Sequence, residues 1–112
     1  MSNSAYYNFR ISDLSILKEL KSQVIAYDNK KMLKRNIASG DGKISISLSD
    51  VGTAKAFFIT STKNIDLAIN ETEPSIVVTN FLFMEVSTLT SLSITCSDAS
   101  GSQVEVIIWG VD

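Results

Sequence analysis

The chain has 112 residues, 45% of them hydrophobic, and a net charge of −2, which suits one domain with its own core and argues against a charge-dominated disordered chain. Histidine is absent and cysteine occurs once, so Ser–His–Asp and Cys–His catalysis, a zinc site and an internal disulfide are excluded within one chain. No apolar run approaches the ~20 residues of a membrane-spanning helix.

The N-terminal stretch "MSNSAYYNFR" has neither a basic leader nor a continuous apolar run, so it does not read as a secretory signal and synthesis in a cytoplasm is expected. Tyr6, Tyr7 and Phe9 are candidate interface anchors, because large aromatics are enriched where proteins meet; the core is the competing place for each. Over residues 13–25, Asp13 is suited to cap a short helix whose one face would hold Leu14, Leu17, Leu20 and Val24. Strands over Val24 to Tyr27 and Met32 to Ala38, turning at Asp28-Asn29, are the alternative. "NKKMLKR" groups Lys30, Lys31, Lys34 and Arg35 and is expected to face solvent or an acidic protein surface. A pI near 5.0 and the lack of a binding signature argue against nucleic acid.

"ASGDGK" at 38 to 43 breaks the chain, so residues 1–42 are expected to form an N-terminal arm, helix or first strands packing on a sandwich built from residues 43–112. Within 43–112 apolar residues recur with a period of two, as strands with one buried face require. Ile44, Ile46 and Leu48 alternate with serines. A strand over Lys55 to Thr60 and another carrying Ile65, Leu67 and Ile69 read as a β-hairpin. Pro74 marks a turn. "IVVTNFLFMEV" is expected to be two short strands, or one bent at Thr79-Asn80, whose second half has too few polar positions to face water on either side. Leu92, Ile94 and Cys96, a bend at Asp98 to Ser102, and Val104, Val106 and Ile108 read as a closing hairpin. Trp109 breaks its polar alternation, which places it at a core edge or in an interface. Seven or eight short strands joined by turns imply a single-domain antiparallel β-sandwich, with a jelly roll the leading form.

Chemistry is sparse. Cys96 shares the apolar face of its strand and has an acidic neighbour, which disfavours a thiolate, so it is expected in the core. Glu71, Glu73 and Asp98 fall in turns without the ligand density of a calcium loop. "GDG" at 40 to 42 lacks the rest of a phosphate loop. Neither a cofactor nor an enzymatic activity is expected. Charge is uneven along the chain: residues 1–63 hold all ten basic residues and five acidic ones, while residues 64–112 hold seven acidic residues and no basic one. If the halves lay on different surfaces, copies would dock positive to negative.

The succession "KISISLSD", "KAFFITSTKNIDLAIN", "FLFMEV" and "SLSITCSDASGSQVEVIIWG" resembles the small decoration proteins, cement or staple, of short-tailed double-stranded DNA phages, the staple class of epsilon-type Salmonella phages above all. The likeness lies in length, strand order and turn placement over about Lys43 to Gly110 and includes no catalytic motif. It implies a jelly-roll-like virion protein on the outer capsid surface. The implied partners are the major capsid protein and a second copy, with a dimer favoured and neither nucleic acid nor membrane bound. A carbohydrate-binding or tail-associated adhesion module is the competing expectation; it requires at least two accessible aromatics on one face, which Tyr6, Tyr7 and Trp109 supply only by converging.

Overall fold

The computed structural model describes residues 3–73 and 75–112. In chain order these form β1 (Asn3–Asp13), β2 (Ile16–Tyr27), β3 (Asn29–Ile37), a short 3-10 turn (Ser39–Asp41), β4 (Ile44–Ile46), β5 (Thr53–Ser61), β6 (Ile65–Ile69), β7 (Ile76–Val78), β8 (Phe81–Glu85), β9 (Leu92–Thr95) and β10 (Ser102–Val111). Strands β3 to β10 make two antiparallel four-stranded sheets, ordered β3-β10-β5-β8 and β4-β9-β6-β7. Eight strands wound in this order are a jelly roll. Pro74, read from the sequence as a turn, lies outside the described residues.

The period of two builds the core directly. Phe57, Ile59 and Val106 on one sheet face Leu67, Leu92 and Ile94 on the other, each at most 1% exposed. Cys96 belongs to the same cluster, and its thiol donates weakly to the Asp98 carbonyl at 3.8 Å. The bend that follows is held by Asp98, whose carboxylate accepts from the Ser100 hydroxyl and backbone N–H. Those bonds keep its carboxyl below the usual value of 3.8, with the charge of Lys63 adding a smaller push in the same direction.

Several expectations are corrected. The helix over 13–25 is not formed; the segment is the tip and second strand of a hairpin pairing β1 with β2, from Asp13↔Ile16 back to Asn3↔Tyr27. The apparent helical stripe is split between two faces: Leu17 and Leu20, three residues apart, alternate as strand neighbours do, and a bulge that shifts the register between Tyr7 and Phe9 puts Val24 on the side opposite Leu20. Sandwich strands begin at Asn29 rather than at residue 43, since β3 pairs with β10 along its whole length. Neither expected hairpin within 43–112 exists: β5 bonds to β10 and β8 while β6 bonds to β7 and β9, and β9 and β10 likewise sit in opposite sheets. Alternation marks which side of a strand is buried, and two strands facing each other across a core have the same alternation as two strands side by side.

One close approach joins the hairpin to the sandwich. Gly110 sits at a register shift in β10, where a Cβ would overlap the Val51 carbonyl oxygen and lie 2.9 Å from that of Thr53. Its own carbonyl accepts from the Asp28 N–H at 2.8 Å, between β2 and β3. The Asp112 N–H donates to Asp28, and Asn29 donates to the Asp112 carboxylate at 2.6 Å. The root of the hairpin is therefore tied to the last residues of β10.

Candidate functional site

The β1–β2 hairpin is the feature the sandwich does not require. Its proximal half, residues 3–7 and 23–27, lies against the outer face of the β3-β10-β5-β8 sheet, where Ile25 is buried and the Tyr7 ring packs 4.5 Å from Phe83. The Tyr7 hydroxyl donates to Glu85 at 2.9 Å. That bond, with partial desolvation and the Glu85 charge, raises the phenol above its ordinary value of 10.0. Beyond Tyr7 the hairpin leaves the body and extends seven residues to Leu14, a reach of roughly 23 Å at ~3.3 Å per residue. The radius of gyration is 15.0 Å, against about 13 Å for a compact chain of this length.

This arm is apolar on both sides. The register places Phe9, Ile11, Ile16 and Leu20 on the side that faces the sheet, and Tyr6, Leu17 and Val24 on the other. All seven are between 42% and 68% exposed, and Leu14 at the tip is fully exposed with a left-handed backbone at φ 46°. An L-residue with a branched side chain costs of order 1 kcal/mol in that conformation, and a leucine is a poor choice for water. Ser22, also left-handed, donates its N–H to the Asn8 side chain at 2.7 Å and so stabilises the bulge.

Between arm and sheet opens a cleft of about 640 Å³. Its floor follows from cross-strand register. Met32, Ile107, Phe58 and Phe83 form one rung across the outer face, Lys30, Trp109, Ala56 and Glu85 the next, and of these Phe58, Phe83, Trp109 and Glu85 line the cleft. Phe81 and Phe58 stand 6.0 Å apart, Phe81 being half exposed. Phe9 and Leu20 supply the arm's wall. Glu85 is the one charged residue among the side chains that line the cleft.

Of the residues singled out from sequence, Tyr7, Phe9 and Trp109 come together at this cleft, whereas Tyr6 points away from it. Trp109 is neither core nor free surface: it is half-buried on the outer face of β10, on the cleft floor. The basic group does not form one patch. On β3 its members alternate sides, Lys30 and Lys34 with the outer face, opposite Trp109 and Glu105. Lys31 turns to the β4 side, where it donates to the Ser47 carbonyl at 2.9 Å and pairs with Asp50 at 3.4 Å. Arg35 is exposed on the same side of the strand. Because β3 is an edge strand, these cations guard it against pairing with another chain. Nor do the charged halves of the chain occupy separate surfaces, for the first sheet takes β3 and β5 from one half and β8 and β10 from the other. Sequence reasoning missed Phe58, Phe81, Phe83 and Glu85 as lining groups. The signal was the stretch "FLFMEV", which has no polar side; Leu82 and Met84 pack on the core and Phe81 and Phe83 form the cleft.

Among the described residues no group of three or more Cys, Asp or Glu side chains is placed to hold a metal ion, and no helix is long and apolar enough to cross a membrane. No protein-family model, curated protein or solved structure matches the chain.

Proposed function

We propose that this chain is a virion structural protein that decorates the outer surface of a phage capsid and stabilises it by bridging neighbouring major capsid subunits. The observation that carries the reading is the projecting arm: a rigid jelly roll holds out a hairpin whose tip and both sides bear large apolar side chains exposed to solvent. Such surface suits contact with other subunits. A clamp of this kind gains from multivalency, because seating the body on one subunit raises the local concentration of the arm at the next. The test is co-sedimentation of purified protein with undecorated capsids over a range of salt. Binding is expected to persist at high salt, since apolar contacts are not screened, and to weaken at least tenfold in the double variant Leu14→Asp/Leu17→Asp. Absence of binding at every salt concentration would overturn the reading.

Convergence of Tyr7, Phe58 and Trp109 on one cleft favours a second reading, a carbohydrate-binding or adhesion module, in which sugar faces stack on aromatic rings. Binding on a glycan array, with a change in Trp109 fluorescence on adding the bound sugar, is what that reading requires.

A further inference from the structure

The sheet that carries the cleft ends at β8, and the backbone of that strand is unpaired on its outer side. We infer that β8 takes an extended segment of another protein as an added antiparallel strand, with a basic residue opposite Glu85 and apolar residues opposite Phe83 and Phe81. This site is separate from the arm, and the inference stands without the capsid reading.

Backbone bonds fix what the edge offers. Val86 donates its N–H to the Lys55 carbonyl at 2.8 Å, and the Asn80 carbonyl accepts from the Ser61 N–H at 2.9 Å. These two bonds flank the register that runs from Thr60↔Phe81 to Ala56↔Glu85. Bonded and non-bonded pairs alternate along an antiparallel ladder, so Leu82 and Met84 bond to β5 while Phe81, Phe83 and Glu85 turn their N–H and carbonyl groups outward. Beyond β8 the sheet has no further strand among the described residues, and an unpaired edge is a template for another chain. The other edge strands of the sandwich are protected: β3 by the cations along it, β4 and β7 by being three residues long. Strand β8 has five residues and contains neither Lys, Arg nor Pro.

Side chains specify the occupant. Phe81, Phe83 and Glu85 all line the cleft, so residues paired with them on an added strand stand on the same side, at the cleft's rim. Phe81 is 51% exposed, and apolar residues opposite it and Phe83 would cover both rings. The Tyr7 hydroxyl binds Oε2 of Glu85. The ion pairs among the described residues are Lys21–Glu19 and Lys31–Asp50, which leaves the Glu85 carboxylate without a cation. Lys30 and Lys34 share its face but stand on β3, with β10 and β5 between, roughly 14 Å away at ~4.8 Å per strand. A lysine or arginine directly opposite Glu85 supplies the missing charge. Edge-to-edge pairing with the β8 of a second copy supplies none in any register, because residues 64–112 hold no basic residue.

Calorimetric titration of the intact chain tests this with a blocked seven-residue peptide that has lysine second, valine fourth and sixth, and threonine elsewhere. Saturable binding is expected at submillimolar concentration. Methylating the backbone nitrogens of the lysine and both valines, which would face β8, should weaken it at least tenfold. Methylating the threonine nitrogens between them, which would face away, should leave it within threefold. Phe81→Pro removes an outward N–H at the first residue of the strand, where proline is tolerated, and should bind at least tenfold more weakly than Phe81→Ala; far-UV circular dichroism and the unfolding midpoint confirm that both fold. Glu85→Lys should weaken binding of this peptide and restore it for one with glutamate in place of the lysine. No saturable binding at millimolar peptide overturns the inference. Equal binding of the two methylated peptides also overturns it, since the cleft alone would then hold the ligand, as does a dimer of the chain that excludes the peptide. Capsid binding by a chain that takes no peptide would sink the strand addition and spare the capsid reading; peptide binding by a chain indifferent to capsids would do the reverse.

Discussion

The sandwich and the arm use similar amino acids to opposite ends. In the sandwich, Phe57, Ile59 and Leu67 are wholly removed from water by residues of the facing sheet. In the arm, Ile11, Ile16 and Leu20 are about half exposed although they are as apolar. A two-stranded ribbon has no second layer of its own, so its apolar side chains are buried only by what it is laid against. The proximal half is laid against the body and the distal half is not. Apolar content therefore stabilises the fold in one region and measures the demand for a partner in the other.

Three changes test how separate the two regions are. Phe57→Ala, at the centre of the core, is expected to cost about 3–5 kcal/mol in chemical unfolding monitored by circular dichroism; a loss below 1 kcal/mol would contradict the packing described. Trp109→Ala removes a half-buried ring from the cleft floor and should cost about 1–2 kcal/mol by partial loss of burial. A loss as great as that at Phe57 would make Trp109 part of the core. Replacing residues 8–22 by Asn-Gly closes the hairpin directly after the Tyr7↔Gln23 pair. That change should alter the body's stability by no more than about 0.5 kcal/mol while abolishing co-sedimentation with capsids; a collapse of stability would show that the distal arm belongs to the fold.

The smallest expected effect concerns pH. Tyr7 is raised above 10.0 because its hydroxyl donates to Glu85, so the contribution of this bond is complete below pH 10 and disappears as pH climbs through the raised value. Trp109 fluorescence reports on it, since both residues line the cleft. A transition above pH 10 is expected in the native chain and none in Tyr7→Phe below the point of global unfolding. Persistence of the transition in Tyr7→Phe would assign it to another group.

Legibility in the sequence differed between the two regions for the same physical reason. In β5, β9 and β10 the buried side recurs every second residue, so Phe57, Ile94, Cys96 and Val106 were identifiable as core before their partners were known. In the arm the period is interrupted twice, by the turn at Leu14 and the bulge at Ser22, and the remaining apolar residues fall by coincidence at helical spacing. The helix-forming run "ILKELK" reinforced that reading until pairing with β1 overrode it. The aromatic cleft was legible only as a stretch without a polar side, because the residues facing it arrive from β1, β2, β5, β8 and β10.

The sequence by itself determined the class of fold, the inward position of Cys96 and the absence of histidine chemistry, because each depends on local period or on composition. Only the tertiary structure decided which strands are neighbours, that β5–β6 and β9–β10 cross between sheets, that Trp109 faces a cleft, and that residues 3–27 form an arm. Those outcomes depend on which of several equally apolar surfaces meet, and a pattern of alternation along one strand says which side is covered without saying by what.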